Sequence, residues 1–477
     1  MTTIETDTLL VAGTQVRVEN RIAVVNPATG RAFADCPVAS DAHLQLAIDS
    51  ADVARVGWAR DADLRRTMLL GMAEVLTENR DLLARTLSQE TGVPLRDTTI
   101  EAAGAAAFAK FRGAGELPVD QIHDDGRQSV RVYRAPIGIV GAIVPWNAPL
   151  LISAEKIATA FAAGNVVVLK PSLLAPLTTV LLGSLLADVL PPGVLHVLPG
   201  DDDLGRALVA HRKVGMISFT GSIGAGRAIM AAAAPRLKRL SLELGGNDAA
   251  IVLPDIDIPR VASQIFRGAF YRSGQVCAAI KRLYVHDDIH DEFVAALADV
   301  AEKTTVGGPF DPDVTMGPLS NRPQFDRVRH LVDDAVSAGA TIVTGGHPIA
   351  RDGYFHAPTL VTGVGPGAAV VAEEQFGPVL PIQSFTDIDA TVAAANDTDY
   401  GLGASVWTAD ADAGSAIAAN LEAGSVWVNR HGIVSPEVPF GGMKQSGVGR
   451  TNGGPGLDQY SELKTVSVAI HAKKPNP

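Results

Sequence analysis

Between residues 137 and 226 the chain alternates apolar runs of strand length with stretches of helical spacing, and this alternation limits the fold more than any other feature of the sequence. Residues 137–144 form an unbroken apolar strand and 165–169 another. A helix over 176–190, a strand over 194–198, a helix over 204–211, a strand over 215–219 and a helix opening at Ser222 follow. Strands this apolar are buried on both faces, which is the condition of a parallel sheet covered by helices. The fold class is therefore α/β, doubly wound, with ligands expected beyond the carboxyl ends of the strands. After Phe219 the glycines fall at Gly221, Gly224 and Gly226 instead of in the spacing G-x-G-x-x-G. A turn of small residues still feeds a helix N-terminus there, where free N–H groups and the helix dipole favour a phosphate.

The flanking regions complete the outline. Residues 9–12 and 21–25 read as short strands, and 42–89 carry helical spacing until Thr91-Gly92 and Pro94 stop it; an alanine-rich helix then runs over 95–113. Residues 117–134 read as a hairpin turning at Asp124-Asp125-Gly126, with Val130 and Val132 alternating with Arg131 and Tyr133. Beyond a strand at 249–253, a helix over 258–273 leads to Cys277. A second α/β region follows, with helices at 288–303, 324–338 and 388–396 and strands at 283–285, 341–344, 404–407 and 426–429. No linker or repeat separates the two regions, so a tight boundary is expected near residues 244–247, with the chain returning at its end.

Cys277 is one of only two cysteines, the other being Cys36. It stands between Gly274-Gln275 and Ala278-Ala279, small neighbours that leave a thiol approachable. As thiolate it is a candidate nucleophile, and the plain alternative is a buried structural cysteine.

The pattern F-x-x-x-G-Q-x-C from Phe270 to Cys277 resembles the nucleophile segment of the NAD(P)-dependent aldehyde dehydrogenases. Further matches fall in the expected order: Pro145-Trp146-Asn147, Lys170-Pro171-Ser172, Phe219-Thr220-Gly221-Ser222, Leu242-Glu243-Leu244-Gly245-Gly246-Asn247, Glu374-Gln375-Phe376-Gly377-Pro378-Val379, and Pro439-Phe440-Gly441-Gly442 with Lys444, Ser446 and Gly447. Together they span almost the whole chain.

The resemblance implies an aldehyde dehydrogenase-like fold: a Rossmann-like parallel-sheet cofactor domain (residues 1–114 and 135–244), an α/β catalytic domain (245–440) and a β-arm for oligomerisation (115–134 and 458–477). It implies NAD or NADP as cofactor, a small-molecule aldehyde as substrate and a homodimer or homotetramer. Cys277 would attack the aldehyde to give a thiohemiacetal and then a thioester. Asn147, with the backbone N–H of Cys277, would stabilise the oxyanion, and Glu243 would activate the hydrolytic water. Lys156 corresponds to a lysine near the water-relay side, against the rival reading of a solvated helix lysine. Cofactor contacts fall on Trp146, Lys170, Ser172, Gly221, Ser222, Gly226, Leu244, Glu374 and Phe376, with Lys170 and Glu374 on the two riboses and Ser222 capping its helix beside the pyrophosphate. No metal is called for. Two alternatives remain: a CoA-acylating or semialdehyde dehydrogenase, and a non-catalytic relative of the same fold.

Three positions depart from the family pattern. Leu173 stands where a glutamate commonly binds the adenosine ribose, which leaves NADP open. Arg272 replaces a common asparagine, and Thr451 follows Arg450 where glutamate is frequent; both are expected to tune geometry or oligomer contacts. The positions of the family's substrate tunnel are Ala148, Ile152, Glu155, Val276, Ala278, Val434 and Phe440, a mostly apolar set that suggests a medium-size aliphatic or aromatic aldehyde over a short dicarboxylic semialdehyde. His431 and Glu437 could add polar contacts. A net charge of −12 speaks against nucleic acid or an anionic membrane as partner. The few cysteines, the acidic N-terminus and apolar runs too short to cross a bilayer point to the cytoplasm.

Overall fold

The computed structural model describes residues 8–470. The first seven residues, on which the leader reading rests, and residues 471–477 of the expected arm lie outside the described residues.

The apolar strands assemble as their burial demands. An eight-stranded sheet has the order Gly447–Val448, Arg239–Glu243, Val214–Thr220, Ile139–Ile143, Val166–Lys170, Leu195–Val197, Thr8–Val11, Thr14–Arg17. Its five central strands run parallel, and each outer strand joins its neighbour antiparallel. Val166–Lys170 is buried at every position, because helices cover both faces. Register then fixes the site. Ile143 lies opposite Lys170 and Phe219, and Thr220 lies opposite Glu243. The turns that follow these residues therefore emerge side by side at one carboxyl edge, which is where Asn147, Lys170, Gly221, Ser222 and Glu243 fall.

A second, seven-stranded sheet has the order Thr341–Thr344, Thr359–Thr362, Val379–Phe385, Ile280–His286, Asp248–Val252, Gly403–Trp407, Ser425–Val428. Residues 244–247 carry the chain from the last residue of Arg239–Glu243 to the first of Asp248–Val252, and Asp248 lies opposite Ile280. Cys277, three residues before Ile280, thus meets the amino edge of this sheet where it faces the carboxyl edge of the first.

A three-stranded antiparallel sheet joins Asp120–Asp124, Gln128–Pro136 and Ser461–Ala469. The expected hairpin is present, and the third strand, Ser461–Ala469, falls within the expected arm segment.

Several elements differ from expectation. The helical region of 42–89 is three helices, Asp41–Arg60, Ala62–Glu78 and Arg80–Thr91. Asp61 breaks the first junction by accepting the Leu64 N–H as an N-cap, and Asn79 marks the second. The helix before Cys277 ends at Phe270, because Arg272 and Ser273 take φ values of 54° and 59°, outside the helical region. The sequence also hid the helix Pro149–Ala162: it is apolar on nearly every face and buried almost throughout, so it shows no polar stripe by which to recognise it.

Candidate active site

The nucleophile loop is held from three sides. Gln275 receives the Ser320 N–H on Oε1 at 2.9 Å and donates through Nε2 to the Arg272 carbonyl at 3.1 Å. Asn147 Nδ2 donates to the Gln275 carbonyl at 2.9 Å, which brings the first sheet's Pro145-Trp146-Asn147 turn against the segment two residues before Cys277. Lys281 Nζ donates to the carbonyls of Val276 at 2.9 Å and Cys277 at 2.5 Å. Asn147 is therefore held against the loop that carries Cys277.

The surroundings of the thiol favour its protonated form. Burial pushes Cys277 up to about 12, the carboxylates of Glu374, Asp248 and Glu243 push the same way, and Lys281 alone opposes them. Deprotonation has to accompany attack, with a proton acceptor at hand.

Glu243, the last residue of its strand, is buried, and neither carboxylate oxygen has a hydrogen-bond partner. Burial raises it well above its ordinary 4.5 and the nearby Glu155 adds to this, while Lys156 and Arg450 oppose. A carboxyl with free lone pairs and a raised pKa can accept a proton from a thiol or a water. Lys156 is fully buried, so the solvated-lysine reading is overturned: its Nζ donates to Ser218 Oγ at 2.8 Å, and the Tyr460 hydroxyl meets the same oxygen at 2.7 Å. Burial lowers the Lys156 pKa against the pull of Glu155 and Glu243.

The expected cofactor positions occupy the same edge. Ser222 Oγ accepts the Ala225 N–H at 3.2 Å and caps Ile223–Ala233, with Gly221 donating its N–H to the Glu243 carbonyl. A Cβ on Gly226 would lie 2.7 Å from the Leu244 side chain, so glycine there lets the helix seat on Leu244. A Cβ on Gly224 would meet nothing within 4 Å, which leaves the exposed side of the first turn open. Lys170 ends its strand and is buried near Asp202 and Asp201, and Ser172 Oγ accepts the Leu174 N–H at 3.2 Å. On the opposite wall Glu374 Oε1 receives the Gly246 N–H and Lys281 Nζ, each at 3.1 Å. Phe376, with φ 50°, sets its ring edge-on to Trp146 at 5.5 Å between centroids. An open helix N-terminus, a glycine-cleared strand end, a buried lysine at a neighbouring strand end and the Glu374 and Phe376 pair fit a dinucleotide.

Sequence reasoning missed other parts. Lys281, four residues after Cys277, bridges the nucleophile loop to Glu374 and carries no motif of its own. Arg272 acts within the chain: its Nη1 donates to Glu101 Oε2 in a pair buried on both sides. The other Glu101 oxygen accepts the N–H groups of Leu150 and Leu151, both at 3.1 Å, in the first turn of Pro149–Ala162. Thr451 exchanges backbone hydrogen bonds with Phe440 inside the chain. Of the expected tunnel positions, Val276 and Ala278 line a cavity of about 370 Å³ beside the nucleophile, together with His431. Ala148, Ile152, Glu155, Val434 and Phe440 are not among its walls.

Known proteins resemble the chain over nearly its whole length. Residues 14–466 match the model of the aldehyde dehydrogenase family. A putative aldehyde dehydrogenase, FUS7, of Gibberella fujikuroi is 38% identical over 443 residues, covering 93% of this chain and 94% of that protein. Human retinal dehydrogenase 2 is 36% identical over 463 residues, covering 94% and 89%. Among solved structures, an aldehyde dehydrogenase from Bacillus cereus superposes with a TM-score of 0.95 at 32% identity, covering 98% of this chain and 97% of that one. A betaine aldehyde dehydrogenase from Staphylococcus aureus, solved with NAD+, superposes at 0.94 with 30% identity, covering 99% of each chain.

Proposed function

We propose a division of labour among the residues of this chain, which belongs to the aldehyde dehydrogenase family and is an NAD(P)-dependent aldehyde dehydrogenase. Cys277 adds to the aldehyde carbon, and its proton leaves to Glu243 or to a water that Glu243 holds. The oxyanion so formed is received by the Asn147 amide and the Cys277 N–H, donors already fixed by Gln275 and Lys281, so little reorganisation is needed as charge develops. NAD or NADP supplies the hydride acceptor. Trp146, Lys170, Ser172, Gly221, Ser222, Gly226, Leu244, Glu374 and Phe376 hold the dinucleotide, with Lys170 and Glu374 toward its two riboses.

The acyl group left on Cys277 is released by water. Glu243 takes that water's proton, and Lys156, anchored on Ser218, steadies the resulting charge from behind. The observation that carries this reading is the convergence of Asn147 and Glu243, from the carboxyl edge of one sheet, on the Cys277 loop at the amino edge of the other. The buried, unpartnered Glu243 favours hydrolysis over transfer to CoA and over a non-catalytic relative.

The substrate is read as a medium-size aldehyde. The chain is read as a cytoplasmic homodimer or homotetramer joined through the β-arm, whose Ile122, Leu463 and Val468 are large exposed apolar side chains. Both cysteines are free, which fits a reducing compartment, and no helix among the described residues is long and apolar enough to cross a membrane.

The test is reduced-nicotinamide formation by wild type and Cys277→Ala with a panel of aldehydes and NAD or NADP. Formation in wild type and loss in Cys277→Ala is the expected result; full turnover by Cys277→Ala would exclude the proposed nucleophile.

A further inference from the structure

The 370 Å³ cavity has a charge pattern that the tunnel positions read from sequence do not contain. Val276 and Ala278, the residues on either side of Cys277, line it, so the cavity lies against the nucleophile loop. Arg267 and Arg430 stand on its walls with Tyr271 and His431, and no Asp or Glu lines it. Both arginines are exposed, and neither has a carboxylate partner among the described residues. In a chain with 52 acidic and 40 basic residues, two unpaired arginines sharing one cavity run against the overall balance of charge.

Their backbones are not free to drift. Arg267 lies on the last turn of the helix Ile258–Phe270. Arg430 precedes His431, whose ring nitrogens contact Ser405 Oγ and the Ala278 carbonyl at 3.0 Å each. The arginine-bearing loop is thereby tied to the residue that follows the nucleophile.

We propose that Arg267 and Arg430 select an aldehyde carrying a carboxylate at its far end, so that the preferred substrate is an ω-carboxy aldehyde of modest length, in place of the uncharged aldehyde that the tunnel positions alone suggest. The proposal rests on the reading that Cys277 oxidises aldehydes. Guanidinium groups match carboxylates in a planar, two-bond geometry, and a cavity at the small end of the usual range for ligand sites suits a short chain between the two functions. Because the arginines are exposed, the preference is moderate and sensitive to salt.

The test compares kcat/KM for an ω-carboxy aldehyde with that for its neutral methyl ester of the same chain length, in wild type, Arg267→Gln, Arg430→Gln and the double variant. Wild type is expected to favour the carboxylate by about tenfold, the double variant to bring the ratio close to one, and added salt to shrink the wild-type ratio. A wild-type ratio at or below one, or a ratio that neither substitution changes, overturns the proposal. A clear preference for an ω-phosphorylated aldehyde over the carboxylate overturns the choice of anion. Cys277-dependent turnover of the ester keeps the chemistry intact while the selectivity is judged; absence of turnover for both compounds refutes the underlying reading and this one with it.

Discussion

Replacing Arg272 by methionine leaves Glu101 as a buried carboxylate without its cation. The two side chains are 5% and 2% exposed, so water cannot compensate for the loss. Removing one member of a buried pair costs about 3–5 kcal/mol, whereas replacing both members by neutral groups of similar size costs much less. Two Arg272 nitrogens, Nε and Nη2, are already without partners, so the lower end, about 3 kcal/mol, is expected for Arg272→Met. Glu101→Gln keeps an oxygen for the Leu150 and Leu151 N–H groups and removes only the charge. The double variant should therefore recover about 2 kcal/mol of the summed single losses.

The same pair links the start of Pro149–Ala162, two residues beyond Asn147, to the segment that carries Cys277. A slack link displaces the oxyanion donor, and a displacement near 1 Å costs up to about a hundredfold in kcat. Urea unfolding of the four proteins gives the coupling energy, and steady-state kinetics at saturating cofactor gives kcat and KM. A loss below about 1 kcal/mol for Arg272→Met, or strictly additive variants, would refute the reasoning. A stability loss with unchanged kcat would leave the pair as support for the fold alone.

Other consequences can be checked more briefly. Glu243→Gln should lower steady-state turnover by about 10²–10⁴-fold and slow the first burst of reduced nicotinamide as well, because the thiol's proton and then the water's both pass to this base; an unchanged burst would remove Glu243 from the attack step. Since burial holds Glu243 above its ordinary 4.5, the wild-type release step should quicken as pH rises past the usual carboxylate range, and that limb should vanish in Glu243→Gln. Glu90 is fully buried and raised from 4.5 to about 7, chiefly by desolvation, although Leu177 and Thr178 donate to it. A folded-state pKa above the unfolded one stabilises below 4.5 and is lost as pH rises through 7, so Glu90 should account for about 3 kcal/mol of stability lost over that window, read by unfolding of wild type and Glu90→Gln at several pH values. A methyl group on Gly245 would run into the Glu374 carboxylate, so Gly245→Ala should weaken dinucleotide binding, measured by calorimetry, by about tenfold or more, and unchanged affinity would remove Glu374 from the binding wall.

What the sequence could reveal depended on whether a signal was local. The central strands were legible because a parallel strand must be apolar on both faces, and the turn at Ser222 followed from where its strand ends, whereas Asn147, Lys170 and Glu243 were reached through the family motifs. Lys156 could not be judged from its neighbours, since its burial depends on Ser218 and Tyr460, 62 and 304 residues away in sequence. The Glu101–Arg272 link joins positions 171 apart, and nothing in either segment announces the other. Arg272 and Ser273 at positive φ ended a helix that spacing alone would continue. The cationic rim at Arg267 and Arg430 escaped notice for the same reason: a helix and a distant loop share one cavity only after folding.

The central claim is that the acyl group passes through Cys277, and the most direct measurement is the intact mass of Glu243→Gln after mixing with an aldehyde and NAD or NADP, followed by peptide mapping. The expected result is an added acyl group on the Cys277 peptide, formed in step with one equivalent of reduced nicotinamide and absent from the Cys277→Ala, Glu243→Gln double variant. Reduced nicotinamide forming at the same rate with no adduct on Cys277, or in the double variant, would contradict it.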